Sequence, residues 1–439
     1  MQAYLKKFVL KKHRQTIFLF LLLVLGFLVR VFFVPYWVKI NGDMLLYADW
    51  GEKFWEYGSQ SFYFYKQWYY APPNYPPLIS LIYGGAFWLF EHKYVLAQIH
   101  NTIKVIPAVF IIYFYEHGYI LLLKLPAILA DLGLSFVIYK LLSKFTKDKK
   151  KAMIGMCFYL FNPVTIFLSG VWGQTDSLIA LFALLSFITL INGKTFISLP
   201  LFFVSLYIKP NWAIFIPFYI FLVLIKRPKF RQLLTGGLLA FIIFIITTQP
   251  FAQDGVLSFA SWLLGTRIYP TARIAYKASV SAFNFHTIFL QIDYALENTK
   301  VAGIPVNILG IISFAIINLV SFSYVKKKKI SLFSVITALF TIGLGSFLFL
   351  TNMLERYFFP AFVPMIVVMF TKPKAFIWGV LINVVVFANL VFAFFRRSMD
   401  EIANLFTNNN FLLIKVLSAV NVASFLLFLK NLRPARVKI

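Results

Sequence analysis

Apolar runs long enough to cross a bilayer recur along almost the whole of this 439-residue chain, and that recurrence limits its folds more than any motif does. The runs fall at roughly 17–36, 119–143, 152–169, 176–192, 195–208, 211–225, 232–250, 302–324, 330–350, 357–371, 374–395 and 411–429, which makes twelve expected spans. Several hold only about fourteen residues, short of the ~20 a span needs, and are read as tilted, partly re-entrant or borrowing flanking residues. The first follows the basic MQAYLKKFVLKKHRQ and shows no small-residue cleavage site, so it reads as an anchor rather than a signal peptide. With 61% hydrophobic and 13% charged residues, the chain is expected to be a single all-α, polytopic membrane domain over residues 1–439.

The formal charge of +27 raises the question of nucleic acid, and the placement of the charges answers it. KKFVLKKHR, KFTKDKKK, KRPKFR, Lys326 to Lys329, TKPK and KNLRPARVK all sit at breaks between apolar runs. Lys and Arg mark cytoplasmic loops, and if the N-terminus is cytoplasmic and all twelve segments cross, every cluster falls on the inner face. No nucleic-acid partner is expected. The same arrangement leaves an outer loop at 37–118, a second at 251–301 and the short TNMLERY before Phe358. PLISLIYGGAFWLF and IKVIPAVFIIYFY, within 78–115, are interrupted by His92, Lys93, His100 and Lys104 and are expected to lie on the surface.

The first outer loop gathers four of the fifteen acids in NGDMLLYADWGEKFWEYG. Asp43 reads either as a helix N-cap or as a catalytic carboxylate at the lipid boundary, where a desolvated base can deprotonate an acceptor hydroxyl. Asp49, Glu52 and Glu56 follow on the same expected helix. Ten aromatics from Phe54 to Tyr70 precede APPNYPPL, fitting interface anchoring or contact with a sugar or lipid tail, with Tyr75 at the rigid close. FNPVTIFLSGVWGQTD sets Trp172, Gln174 and Asp176 at the outer end of a hairpin, where an acid either caps the next helix or faces a polar cleft. Lys124 and Asp131 share one helical face two turns apart and are expected to form an intramembrane pair, directly or through other groups. Lys209, Arg267, Arg273 and Arg356 fall on the outer side, where a cation needs a reason: phosphate binding, or snorkelling from a helix end.

Other chemistries find little support. The five histidines form no HExxH pattern, and neither a GxxxxGK[ST] loop nor a GxGxxG turn is present. Cys157 is the sole cysteine, which excludes an intrachain disulfide.

Taken in order, NGDMLLYADWGEKFWEYG, YPPL, KLPAILAD, FNPVTIFLSGVWGQTD, SLYIKP, SAFNFHTIF and NMLERYFFP resemble the GT-C superfamily of integral-membrane glycosyltransferases from Gly42 to about Pro360. The likeness is to GPI-mannosyltransferase-like bacterial proteins and, more distantly, to the dolichyl-phosphate-glucose transferases. It implies a polyprenyl-phosphate sugar donor, a hydroxyl acceptor on a glycan, lipid or protein, an active site on the outer face of a bacterial cytoplasmic membrane, and inversion with Asp43 as base. Mannose is the first guess for the sugar. Lys209 and Arg356, with Arg267 behind them, are then the donor-phosphate candidates, while Asp49, Asp176 and Glu355 are further cleft acids and Tyr75, Trp172 and Gln174 sugar or acceptor contacts. Relatives often read His-Glu-[Arg/Lys] in the last motif; here Leu354 stands in place of the histidine. No metal or cofactor is expected. A polytopic lipid or sugar transporter and a non-catalytic assembly factor are the competing readings; paired broken helices in two similar halves would mark the transporter.

Overall fold

The structure is a computed structural model and describes residues 2–104, 106–270, 277–293, 299–301 and 303–432; Arg273 lies outside the described residues. Among the described residues it is all-α apart from one short hairpin pairing Lys300–Val301 with Ile304–Pro305. Among the described residues, seven helices are long and apolar enough to cross a membrane, and an eighth crossing results if Lys149–Leu160 and Pro163–Trp172, bent by 41°, count as one. The chain is therefore an integral membrane protein of polytopic build. The bend has a local cause: the Asn162 side chain accepts from Val164 N at 2.9 Å and Pro163 opens a new helix, so the apolar run restarts in another direction.

The remaining apolar runs form helices of 10–17 residues, including Asp176–Ile191, Thr195–Ile208 and Pro210–Lys226. Thr195–Ile208 has 14 residues and so rises about 21 Å, less than the ~30 Å hydrocarbon layer. Within 78–115 the short helices Pro77–Glu91 and Tyr94–Ile103 do form, but IPAVFIIYFY joins the helix Ala108–Thr146 instead of lying apart. That helix of 39 residues extends about 58 Å, so part of it must project beyond any bilayer the rest crosses.

Leu332–Phe349 and Phe359–Thr371 are buried along nearly their whole length and form the centre of the bundle. Gly343 permits this: a Cβ there would stand 3.0 Å from the backbone nitrogen of Ala361 on the facing helix. Phe230–Thr248 lies at the periphery, with only Gly236 and Thr248 buried. Gln15, at the start of the first span, donates to the Tyr139 hydroxyl at 2.7 Å and accepts from Lys149 at 3.3 Å. Phe145 packs on Phe333, and the Lys372 ammonium lies 5.7 Å from the same ring. The basic stretches around 144–151, 326–329 and 372–374 thus share one end of the bundle. Leu332–Phe349 leads from that end to the Glu355 region, a rise of about 27 Å over 18 residues.

Candidate functional site

At the end of the bundle opposite the lysines, a cavity of about 540 Å³ is lined by Asp43, Trp172, Ser281, Glu355, Arg356, Arg396 and Arg397 among others. Three chain segments build it. The first is the start of the helix Gly42–Tyr57, whose N-cap is Asn41: its Oδ1 accepts from Met44 N at 3.2 Å, and its Nδ2 donates to the Trp172 carbonyl at 2.8 Å. Asp43 is therefore not the cap. Its Oδ2 accepts from Trp172 Nε1 at 2.8 Å and Gln174 Nε2 at 2.6 Å, and lies 3.9 Å from an Arg356 nitrogen.

The second segment, Phe167–Trp172, winds as a π-turn and leaves through Gly173 at φ +77°, which aims Trp172 and Gln174 at Asp43. A Cβ at position 173 would also stand 2.9 Å from Lys124 Cγ. Lys124 fixes this turn. Its ammonium donates to the carbonyls of Val34, Gly170 and Val171 at 3.0, 2.9 and 2.7 Å. The expected Lys124–Asp131 pair does not form directly; each group bonds other partners, and the two are joined only through the turn, Asp131 at Ser169 and Lys124 at Gly170. Asp131 instead meets Arg30 at 3.0 Å, Tyr159 at 2.7 Å and Ser169 at 2.6 Å.

The third segment is Glu355–Phe358 with the loop before it. Glu355 holds Arg356 at 2.7 Å through one carboxylate oxygen, and the other accepts from Ser281 Oγ. Asn389 secures Ser281 by donating to its carbonyl at 2.6 Å. The Arg356 guanidinium carbon stands 5.7 Å from the Trp172 ring, which closes a circuit of Asp43, Trp172 and Arg356, with Glu355 attached through Arg356.

A second polar group adjoins this circuit. Lys209 is buried with its ammonium unpartnered, 5.3 Å from the Tyr75 ring, and the charges of Asp176 and Arg356 both act on it. Asp176 accepts from Asn211 at 3.3 Å through one oxygen; the other oxygen, Gln174 Oε1 and Arg356 Nε are buried without partners. Buried polar atoms left open in this way are uncommon in a structural core and fit a site that receives a polar ligand. Thr175 opens the following helix without a side-chain cap bond, so Asp176 lies in its first turn.

Asp43, Trp172, Gln174, Glu355 and Arg356 are thus brought together, with Tyr75, Asp176 and Lys209 beside them. Asp49 and Arg267 do not line the cavity. Asp49 accepts from Tyr69 N at 3.2 Å, and burial pushes its carboxyl up against that hydrogen bond. Arg267 donates to the Tyr63 carbonyl at 3.1 Å and lies over Trp262. Sequence patterning quoted Ser281 as the first residue of SAFNFHTIF without giving it a role, and overlooked Arg396 and Arg397, although the paired arginines directly after an apolar run were a readable signal. It also missed Arg30, a lone cation inside a span. Among the described residues, no three His, Cys, Asp or Glu side chains converge as a metal-ligand set. No family model matches the chain, and no curated protein matches it.

Proposed function

We propose that this protein is a glycosyltransferase that moves a hexose, with mannose the first candidate, from a polyprenyl-phosphate donor to a hydroxyl on a glycan, lipid or protein acceptor. The shorter apolar helices then complete a GT-C-like bundle of about twelve crossings, with the Asp43 cavity on the outer face of a bacterial cytoplasmic membrane. The observation that carries the reading is a carboxylate and a guanidinium 3.9 Å apart at one cavity, each held by separate partners. Asp43 Oδ2 takes the bonds from Trp172 and Gln174, which leaves Oδ1 to receive the acceptor's proton. The acceptor oxygen bonds to the anomeric carbon from the side opposite the phosphate. The bond from that carbon to the phosphate oxygen breaks, and the electron pair leaves on the phosphate, whose charge Arg356 and Lys209 meet.

The test is transfer by the purified, reconstituted chain from a panel of radiolabelled polyprenyl-phosphate sugars, comparing wild type with Asp43→Asn at matched thermal stability. A general base contributes about 10²- to 10⁴-fold, so transfer should fall by at least the lower figure. Equal transfer by both proteins would remove Asp43 as base, and a wild type that moves a labelled lipid sugar across the bilayer without transferring it would replace the enzyme with a transporter.

A further inference from the structure

Two cavities meet at the lysine end of the bundle, across the protein from Asp43. One, about 440 Å³, is bordered by Lys328, Ser331, Lys372 and Lys374. The other, about 520 Å³, runs between the helix Val306–Lys327 and the last turns of Asp400–Asn431, with Leu332–Phe349 as its floor. Tyr324, Lys328 and Leu432 line both, so the two form one slot with a cationic mouth and an apolar length. The floor presents the small side chains Ala338 and Thr341, which is why the walls, Val320 and Leu429, do not close over it.

The mouth holds three exposed lysines, and among the described residues no carboxylate lies within ion-pair distance of any of them. Lys372 leans on the Phe333 ring instead. Further along, Ser321 is buried with its hydroxyl unpartnered on the wall of the slot. Converging cations call for an anion, and an apolar groove that continues from them calls for a hydrocarbon chain joined to it. We propose that this slot binds one anionic phospholipid, with its phosphate headgroup among Lys328, Lys372 and Lys374 and one acyl chain along Val320, Ala338 and Leu429. A free anion would meet the mouth alone, and a neutral lipid the groove alone. Basic pockets between membrane helices suit the joined pair.

The experiment is native mass spectrometry of the full chain released from nanodiscs of equimolar phosphatidylglycerol and phosphatidylcholine, with the transfer assay kept as a separate readout. Wild type should retain one phosphatidylglycerol in preference to phosphatidylcholine. Each lysine near a membrane surface is worth about fivefold, so the triple variant Lys328→Gln, Lys372→Gln, Lys374→Gln should reduce that retention by roughly a hundredfold. Ala338→Phe, which fills the groove and leaves every charge, should reduce retention of both lipids. The control Lys149→Gln, Lys150→Gln, Lys151→Gln removes three charges from the same end of the bundle and should change retention little. Equal losses in the two triple variants would mean general surface attraction and overturn the site. So would unchanged retention in Ala338→Phe, or displacement of the lipid by inorganic phosphate alone.

Discussion

Two of the three arginine–aspartate pairs among the described residues, Arg30–Asp131 and Arg356–Asp43, differ in almost everything except their residue types; the third, Arg396–Asp293, meets at 3.1 Å. Arg30 and Asp131 meet at 3.0 Å with side chains 0% and 1% exposed. Arg30 donates further to Thr165, Ser169 and the carbonyls of Gly26 and Leu160, while Tyr159 and Ser169 donate to Asp131. Arg356 and Asp43 stand 3.9 Å apart, 11% and 29% exposed, on a cavity wall, with Arg356 Nε unpartnered. A saturated pair has no bonding capacity left for a ligand, so its work is to join the first span, Ala108–Thr146 and the bent hairpin. An unsaturated pair held open by third parties retains that capacity. The two pairs thus differ in their open bonds: one is closed within the bundle, and the other keeps capacity facing a cavity.

The largest expected effect tests the saturated pair. Asp131→Leu strands Arg30 without a counter-charge and should lower unfolding stability by about 3–5 kcal/mol, read as the thermal midpoint of purified protein in detergent. Asp43→Asn should leave that midpoint within about 1 kcal/mol of wild type. If both variants fell equally, the distinction between the pairs would fail. Next in size, Arg356→Gln should raise the donor KM by roughly ten- to hundredfold, the worth of hydrogen bonds from a charged donor, while the acceptor KM stays put. Glu355 would be left buried without its cation, so Glu355→Gln with Arg356→Gln serves as the folded control. A donor KM unchanged in both would take Arg356 away from the phosphate.

Lys124 belongs to neither pair yet serves the open one at one remove. Lys124→Met removes the ammonium that donates to the Val34, Gly170 and Val171 carbonyls and should cost about 1–3 kcal/mol in stability. Because that turn aims Trp172 and Gln174, kcat should fall more than either KM. A stability loss with kcat intact would confine Lys124 to the scaffold.

Asp43, Glu355 and Arg356 were legible in the sequence because acids and cations beside apolar runs stand out against a chain with few charges. The helical character followed from run length alone. Pairing was not legible. Lys124 and Asp131 share a helical face, but the partners that outcompete this spacing, Arg30 and the carbonyls of Gly170 and Val171, come from segments distant in sequence. The cap is a local case: Asn41, two residues before Asp43, takes the cap that Asp43 was a candidate for. Run boundaries also hid the length of Ala108–Thr146, since Lys124, Asp131, Glu116 and His117 break its apolar character without ending the helix.

Asp49 supplies a third case, a buried carboxylate with no arginine. It lies beyond Asp43 on the same helix, accepts from Tyr69 N, and keeps its other oxygen unpartnered. Burial raises its pKa above the ordinary carboxylate value, so the folded state binds the proton more tightly than the unfolded state does. Any stability from this group is therefore present at low pH and lost as pH rises from the unfolded value through the folded one. Asp49→Asn keeps the shape and the acceptor for Tyr69 N while removing the charge. Its thermal midpoint should match wild type at the acid end of the range and exceed it slightly at pH 8, by less than about 1 kcal/mol, with sugar transfer unaltered. The opposite sign, with the Asp49→Asn variant less stable than wild type at pH 8, would mean that the nearby Lys53 charge outweighs the burial of Asp49.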